Sequence, residues 1–320
     1  MRIILTGGTG FLGRALVDRL LAQGGLGGGA ADMAELVLIA RRAEDLPTDP
    51  RLRIVPGDIR DPSARREAIA GGADCVFHFA SMMAKAAETE RSAAYDVNIA
   101  ASLAFMNELR DTGTGPRVVY ASSIGVYGDA AKLDRIDDST TPLPTISYGS
   151  DKLINETYLS DLSRRGELDG ISLRLPACLP RPRVPDDSPS PDFASSVFHA
   201  LKAGDRFRMP VSPAAAMWFL SLPCFIDNLM HAARLPAPAY AGRRVLQLPA
   251  LHMSVGDLVA GIEEALGLQD GGRVSWHPQP GLEERLARFP PLFTPAADAL
   301  GFVHDGDRAT LVRRTLAAIR

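Results

Sequence analysis

Lysine is the scarcest charged residue in this 320-residue chain: there are only four, and arginine supplies nearly all the positive charge. Cysteine is rarer still. Cys75, Cys178 and Cys224 form an odd, scattered set without a CxxC pair, which argues against a disulfide framework and predicts reduced thiols in a cytoplasm. The six histidines show no HExxH or HxH spacing, so no metal site is expected. No apolar run approaches the ~20 residues that span a bilayer. The strand-like opening MRIIL leaves no room for a signal peptide, so no membrane association is expected. A formal net charge of only −3 gives no footing for nucleic acid or other polyanions. What remains is ordinary for a soluble enzyme: 46% hydrophobic and 23% charged residues, in a chain long enough for one large domain or one and a half.

Strand-like and helix-like stretches alternate through the first half. RIILT (2–6), LVLI (36–39), LRIV (52–55), DCVFHFA (74–80), RVVYAS (117–122) and GISLRL (170–175) are continuous apolar runs. Amphipathic stretches separate them at 11–23, after Asp61-Pro62, at about 88–111 and from Tyr148 to Arg165. Asp61 is a natural N-cap, and Gly166 suits a helix C-terminus. The pattern predicts an α/β fold, a Rossmann-type doubly wound parallel sheet covered on both faces. Residues 1–175 form the expected dinucleotide-binding domain, to which a strand near 244–248 returns. Residues 176–320 are expected to be mostly a smaller substrate-binding region. Proline-rich 176–192 reads as a loop, unable to form helix or sheet interior. Helices follow at 193–203, 222–234, 254–267 (with SVGD as its cap) and 306–319.

TGGTGFLG (6–13) joins the first strand to the first helix. Gly7, Gly10 and Gly13 fit GxxGxxG, and Gly8, Gly10 and Gly13 fit GxGxxG. Glycine permits a tight turn, lets a pyrophosphate approach backbone N–H groups, and lets the helix pack on the sheet. Phe11 and Leu12 open the helix beside that site. After the second strand an NAD-binding protein carries an acid for the ribose hydroxyls. Here Ala40 is followed by Arg41 and Arg42, whose planar forks suit a 2′-phosphate. The expected cofactor is therefore NADP in preference to NAD, with Glu44 and Asp45 placed to restore some NAD binding.

SYGSDK (147–152) supplies Tyr148 and Lys152, four apart and hence on one helix face. With six tyrosines and four lysines in the chain, chance rarely produces that pair. A phenol of pKa ~10 must act as acid or base near neutrality, and a neighbouring ammonium favours the phenolate. Upstream, YASSIGVYG (120–128) ends a strand with two serines, and Ser123 can hydrogen-bond the reacting oxygen. A loop cap is its plainer role.

TGGTGFLG, GDIRD (57–61), FHFAS (77–81), Asn98, YASSIGVYG and YxxxK together resemble an extended short-chain dehydrogenase/reductase of the epimerase/dehydratase kind. The resemblance implies that Ser123, Tyr148 and Lys152 are catalytic. It also implies that Asp58 and Ile59 meet the adenine, that Ala80 and Ser81 line the cofactor, and that Asn98 belongs to the same site. It further implies a homodimer built on the helices near 88–111 and 148–165, with Leu103, Met106 and Leu159 shared between subunits. Within the family the chain is similar to the D-erythronate 2-dehydrogenases, through the insertion GGLGGG (24–29), the stretch 147–176, FASSVFHALKAG (193–204) and MWFLSLPCFIDNLMHAARLP (217–236).

Three activities compete. The first is NAD(P)-dependent oxidation of a secondary hydroxyl on a small carboxylate sugar acid. For this, Arg174 at a strand end is the candidate carboxylate ligand; Arg181 and Arg183 compete with it, and a structural ion pair is the plainer role. The second is a nucleotide-sugar epimerase or dehydratase that keeps NAD tightly bound. The third, a non-catalytic dinucleotide sensor, fits poorly with retention of both Tyr148 and Lys152.

Overall fold

The computed structural model describes the chain apart from residues 43–45, 183–191, 241, 269–271 and 320. Contacts divide it into two units, one comprising Met1–Gly128, Thr141–Leu175 and Asn228–Gln247, the other Asp129–Thr140, Pro176–Asp227 and Leu248–Arg320.

The first unit carries strands β1 (Arg2–Thr6), β2 (Glu35–Ala40), β3 (Leu52–Pro56), β4 (Cys75–His78), β5 (Arg117–Ser123), β6 (Asp169–Leu175) and β7 (Val245–Gln247). They form one sheet in the order β7-β6-β5-β4-β1-β2-β3, and every pairing is parallel. The central strands are buried along their length, β4 throughout and β1 and β2 after a half-buried first residue. This is why they read as continuous apolar runs rather than alternating ones. Strand order reverses between β1 and β4, and in open α/β sheets ligands bind beyond the carboxyl ends of the strands at such a switch point.

Helices α1 (Phe11–Gln23), α2 (Pro62–Ile69), α3 (Ala84–Thr89), α4 (Arg91–Tyr95), α5 (Ser102–Asp111) and α6 (Ser147–Arg164) belong to the same unit. Asp61 caps α2 by accepting the Ser63 N–H at 2.8 Å. The stretch at 88–111 is not one helix. It breaks at Glu90, where φ is −123° and ψ 54°, and passes through a π turn at Asp96–Ala101 before α5 begins. Side chains favour the wider turn: Ser102 Oγ donates to the Val97 carbonyl five residues back at 3.2 Å. Asn155 of α6 donates to the Asn98 carbonyl at 2.8 Å. Met106 and Leu159 are wholly buried in this unit's own core with Phe105, Leu109, Val118 and Leu162. They are therefore not available to a second subunit, which corrects the expectation that they are shared; Leu103 is half-buried.

In the second unit, strands Ala177–Leu179, Ala216–Ser221 and Leu251–Ser254 form a small sheet with Ala216–Ser221 in the middle. Ala177–Leu179 lies within the stretch read as loop. As an edge strand between Pro176 and Pro180, it needs ladder bonds on one side only. Helices Phe193–Ala203, Val255–Leu266 and Arg308–Ala318 pack their buried faces on this unit's core. Ser254 caps its helix through the Asp257 N–H at 2.9 Å, as the SVGD spacing predicts. Among the described residues no helix is long and apolar enough to cross a membrane.

Candidate active site

The turn from β1 into α1 is shaped by what glycine leaves out. Gly7 has φ +75°, and a Cβ there would lie 2.8 Å from the Ala80 nitrogen at the end of β4. A Cβ on Gly13 would lie 2.1 Å from the Gly7 carbonyl oxygen. The helix start is thereby pressed onto the turn. Gly10, the N-cap, brings no capping side chain, so the first-turn N–H groups at Phe11, Leu12 and Gly13 are donors without an intrahelical partner. A backbone cradle at a helix N-terminus fits the pyrophosphate of a dinucleotide.

At the neighbouring strand ends, the Arg41 Nε lies 3.7 Å from Asp58 Oδ2, with the Arg41 side chain 78% exposed. Arg42 beside it is exposed. Asp58 also accepts a fork from Arg60 at 2.9 and 3.1 Å, which holds its carboxyl below the usual range. Ile59 is buried, and its carbonyl accepts from Arg65 at 2.7 Å. Glu44 and Asp45 lie outside the described residues.

Beyond β4, Ala80 and Ser81 are half-buried. Thr6 Oγ1 accepts the Phe79 and Ala80 N–H groups at 3.2 Å each, so its own proton goes to His78 Nδ1 at 2.6 Å. That fixes the tautomer: His78 Nε2–H donates to Ser102 Oγ at 3.0 Å. Burial, then the charge of Lys152, pushes the imidazole down to about 3, which keeps it neutral. Asn98 Oδ1 accepts the Met82 N–H at 2.7 Å, and its amide donates to Asp151 at 3.0 Å. Its side chain thus joins the segment after β4 to α6.

Ser123, Tyr148 and Lys152 are brought together by β5 and α6. Ser123 Oγ accepts the Gly125 N–H at 3.1 Å, so the plainer capping role is present in the structure. A Cβ on Gly149 would lie 2.2 Å from the Gly125 carbonyl oxygen, so only glycine at 149 allows α6 to seat so closely on the turn after β5. A Cβ on Gly125 would in turn lie 3.4 Å from Ser123 Oγ and 3.7 Å from Tyr148 Cδ1, so the serine hydroxyl and the phenol ring both border that position. Tyr148 is 8% exposed. Lys152 is buried, with Nζ donating to the Ala121 carbonyl at 2.7 Å and lying 5.4 Å from the Tyr148 ring centre. Burial pushes the ammonium down to about 7, while Glu156 and Asp151 pull it back up.

Arg174 reaches this cluster from β6, but its fork is engaged. Nε and Nη2 donate to Glu156 at 3.0 and 2.8 Å, and Nη1 donates to the Tyr127 hydroxyl at 3.2 Å. Glu156 is nearly fully buried and also accepts Ser122 Oγ at 2.5 Å. Arg181 pairs with Asp192 at 2.9 Å within the second unit, and Arg183 lies outside the described residues. Sequence reasoning missed Gly149, Asp151 and Glu156, although the last two flank Lys152 at spacings that put them on α6 beside it. Among the described residues no group of three or more His, Cys, Asp or Glu could hold a metal ion.

Comparison with known proteins bears on the family and the fold. The model of the NAD dependent epimerase/dehydratase family matches residues 3–205. A D-erythronate dehydrogenase of Cupriavidus necator is 34% identical over 98% of this chain and 97% of its own length. Another, of Haemophilus influenzae, is 28% identical over 98% of each. A solved structure of a nucleoside-diphosphate-sugar epimerase from Agrobacterium tumefaciens superposes with a TM-score of 0.91 and 28% identity, over 100% of this chain and 94% of that one. The chain belongs to the NAD dependent epimerase/dehydratase family, whose members are extended short-chain dehydrogenases/reductases. Those two relatives from Cupriavidus necator and Haemophilus influenzae, matched over nearly their full length, are dehydrogenases, and the chain is an NAD-dependent dehydrogenase of the extended short-chain type.

Proposed function

We propose that this enzyme oxidises the secondary hydroxyl of a small sugar acid, a D-erythronate-like 2-hydroxy acid, through Ser123, Tyr148 and Lys152. The observation that carries the substrate class is the full-length likeness to D-erythronate dehydrogenases; the seating of Gly149 on Gly125, which brings Tyr148 towards Ser123, supports the chemistry. In this reading the first unit is the dinucleotide-binding domain and the second serves the substrate. The turn at Gly7, Gly10, Phe11, Leu12 and Gly13 holds the pyrophosphate, Asp58 and Ile59 face the adenine, and Ala80, Ser81 and Asn98 border the cofactor. The dinucleotide, when bound, supplies the hydride acceptor.

Tyr148 as phenolate takes the hydroxyl proton, and Ser123 donates a hydrogen bond that orients the oxygen. Lys152 sits where its charge favours the phenolate, and the Ala121 carbonyl fixes its reach. Arg174 belongs to the scaffold in this reading. Giving up Glu156 for a substrate carboxylate would strand a buried charge, at a cost of about 3–5 kcal/mol. The arginines after β2 favour NADP over NAD. Buried cysteines outside any disulfide suit a reducing cytoplasm, and a homodimer is expected through the α3–α6 region.

The test is a spectrophotometric assay with D-erythronate, other 2-hydroxy acids and nucleotide sugars, each with both cofactors. D-erythronate turnover is expected, and Tyr148→Phe should lower kcat about 10²–10⁴-fold with cofactor affinity nearly intact. Activity of Tyr148→Phe within a few-fold of wild type refutes the mechanism. The likeness to a nucleoside-diphosphate-sugar epimerase structure favours a second reading; epimerisation of a nucleotide sugar by enzyme purified with bound NAD would replace the first.

A further inference from the structure

The first turn of α6, which carries Tyr148, is held by a neighbouring helix pair that the proposed chemistry leaves unused. Ile146, at the N-cap, offers no capping side chain. The Ser147 N–H donates instead to Glu88 Oε1 of α3 at 2.5 Å, so a carboxylate from another helix caps α6. One turn further on, Asp151 is wholly buried. It accepts both arms of the Arg91 fork from α4, Nη1 to Oδ2 and Nη2 to Oδ1, at 2.9 Å each. Between these two tethers Tyr148 packs against Ala87 and Ala94, with Met82 and Ala84 alongside.

We propose that Glu88 and Arg91 are positioning residues, and that α3 and α4 form a clamp that sets the place and the ionisation of the Tyr148 phenol. This rests on the reading of Tyr148 as the acid–base group. Stability alone does not call for such a pair, because apolar residues in place of a buried ion pair are often equally stable or more so. An ion pair does fix direction: a bidentate fork admits one register of α6 against α4. It also balances a charge. Asp151 adjoins Lys152 in sequence, and without Arg91 its carboxylate would disfavour a phenolate.

Among the described residues, the other charged or titratable groups around Tyr148 and Lys152 include Glu156 on α6, Arg174 on β6 (engaged by Glu156 and by the Tyr127 hydroxyl), Tyr120 on β5, neutral His78 on β4 and Glu88 on α3. None of these supplies a second cation to Asp151. Removing Arg91 therefore raises the proton affinity of both Lys152 and Tyr148, and the apparent constants of the coupled pair move upward together.

The experiment compares wild type, Arg91→Gln, Glu88→Ala and Glu88→Gln as folded full chains, each with and without Tyr148→Phe. Three quantities are read: kcat on D-erythronate, Kd for the cofactor, and the ultraviolet absorbance of the Tyr148 phenolate against pH, taken as the difference from the matching Tyr148→Phe protein. Arg91→Gln is expected to lower kcat on the order of 10–100-fold, the scale of a small misplacement of a reacting group. Cofactor Kd should hold within roughly threefold, while the phenolate midpoint rises by about one pH unit. Glu88→Ala should lower kcat, and Glu88→Gln, whose amide oxygen still accepts the Ser147 N–H, should restore most of it. Should Arg91→Gln not fold, the Glu88 pair decides alone. An unmoved phenolate midpoint in Arg91→Gln overturns the proposal, as does a Glu88→Ala protein that melts lower yet keeps its kcat. Full activity of Tyr148→Phe in the wild-type background is a separate failure, of the catalytic reading itself. The absorbance titration needs no substrate, so it stands even if D-erythronate is not turned over.

Discussion

Arg41 shows how far one side chain can be argued. It follows β2, 78% exposed, with its Nε 3.7 Å from Asp58. An exposed ion pair of that length is worth little, so in the proposed NADP-preferring reading Asp58 would give it up cheaply to a 2′-phosphate. A charge-assisted contact is worth about 1.5–3 kcal/mol, roughly ten- to a hundredfold in affinity. Arg41→Ala is expected to lower kcat/KM for NADP by that factor while changing NAD much less, with Arg42→Ala having the smaller effect. A wild type that prefers NAD, with neither change selective, would make both arginines surface charge. Ser123, Tyr148 and Lys152 could be put forward from the sequence because the proposed chemistry requires those residue types at those spacings. The partners that set them were not. Asp151 and Arg91 are sixty residues apart, and Glu156 and Arg174 belong to different elements. Nothing in a one-dimensional pattern joins such pairs before the chain is folded.

At the scale of elements, α6 is the decisive piece. Its hold on the turn after β5 depends on Gly149, where a Cβ would meet the Gly125 carbonyl oxygen at 2.2 Å. Backbone cannot yield as a flexible side chain can, so Gly149→Ala should shift the helix at a cost of about 1–3 kcal/mol. Melting temperature and kcat are both expected to fall, whereas an alanine at the solvated Gly166 should leave kcat alone. The strands of the large sheet were readable because both faces are covered and their apolar runs are continuous. The break within 84–101 was not, because a π turn keeps a near-helical apolar rhythm and is specified by side-chain bonds to carbonyls. The second unit was read least well. Strands such as Ala177–Leu179 and Phe207–Met209 have three residues each, too short for a period of two to declare itself.

For the whole molecule, self-association is the open expectation, and it now rests on different residues. Met106 and Leu159 serve the core, whereas Tyr95 on α4 and Ile154 on α6 are 51% and 43% exposed and available to a partner. A dimer is expected in sedimentation at micromolar concentration, dispersed to monomer by Tyr95→Glu or Ile154→Glu; a wild-type monomer ends the idea. The cysteines, meanwhile, turn the folding of the molecule into something that can be timed. All three are buried, Cys75 in the first unit and Cys178 and Cys224 in the second. Burial raises each thiol, Cys75 and Cys224 to about 12, so none offers a thiolate to a reagent in the native state. A chromogenic disulfide added without denaturant should therefore wait on opening of the protein. The rate at which Cys75 is labelled would then clock one unit, and the rates at Cys178 and Cys224 the other, without any probe being introduced.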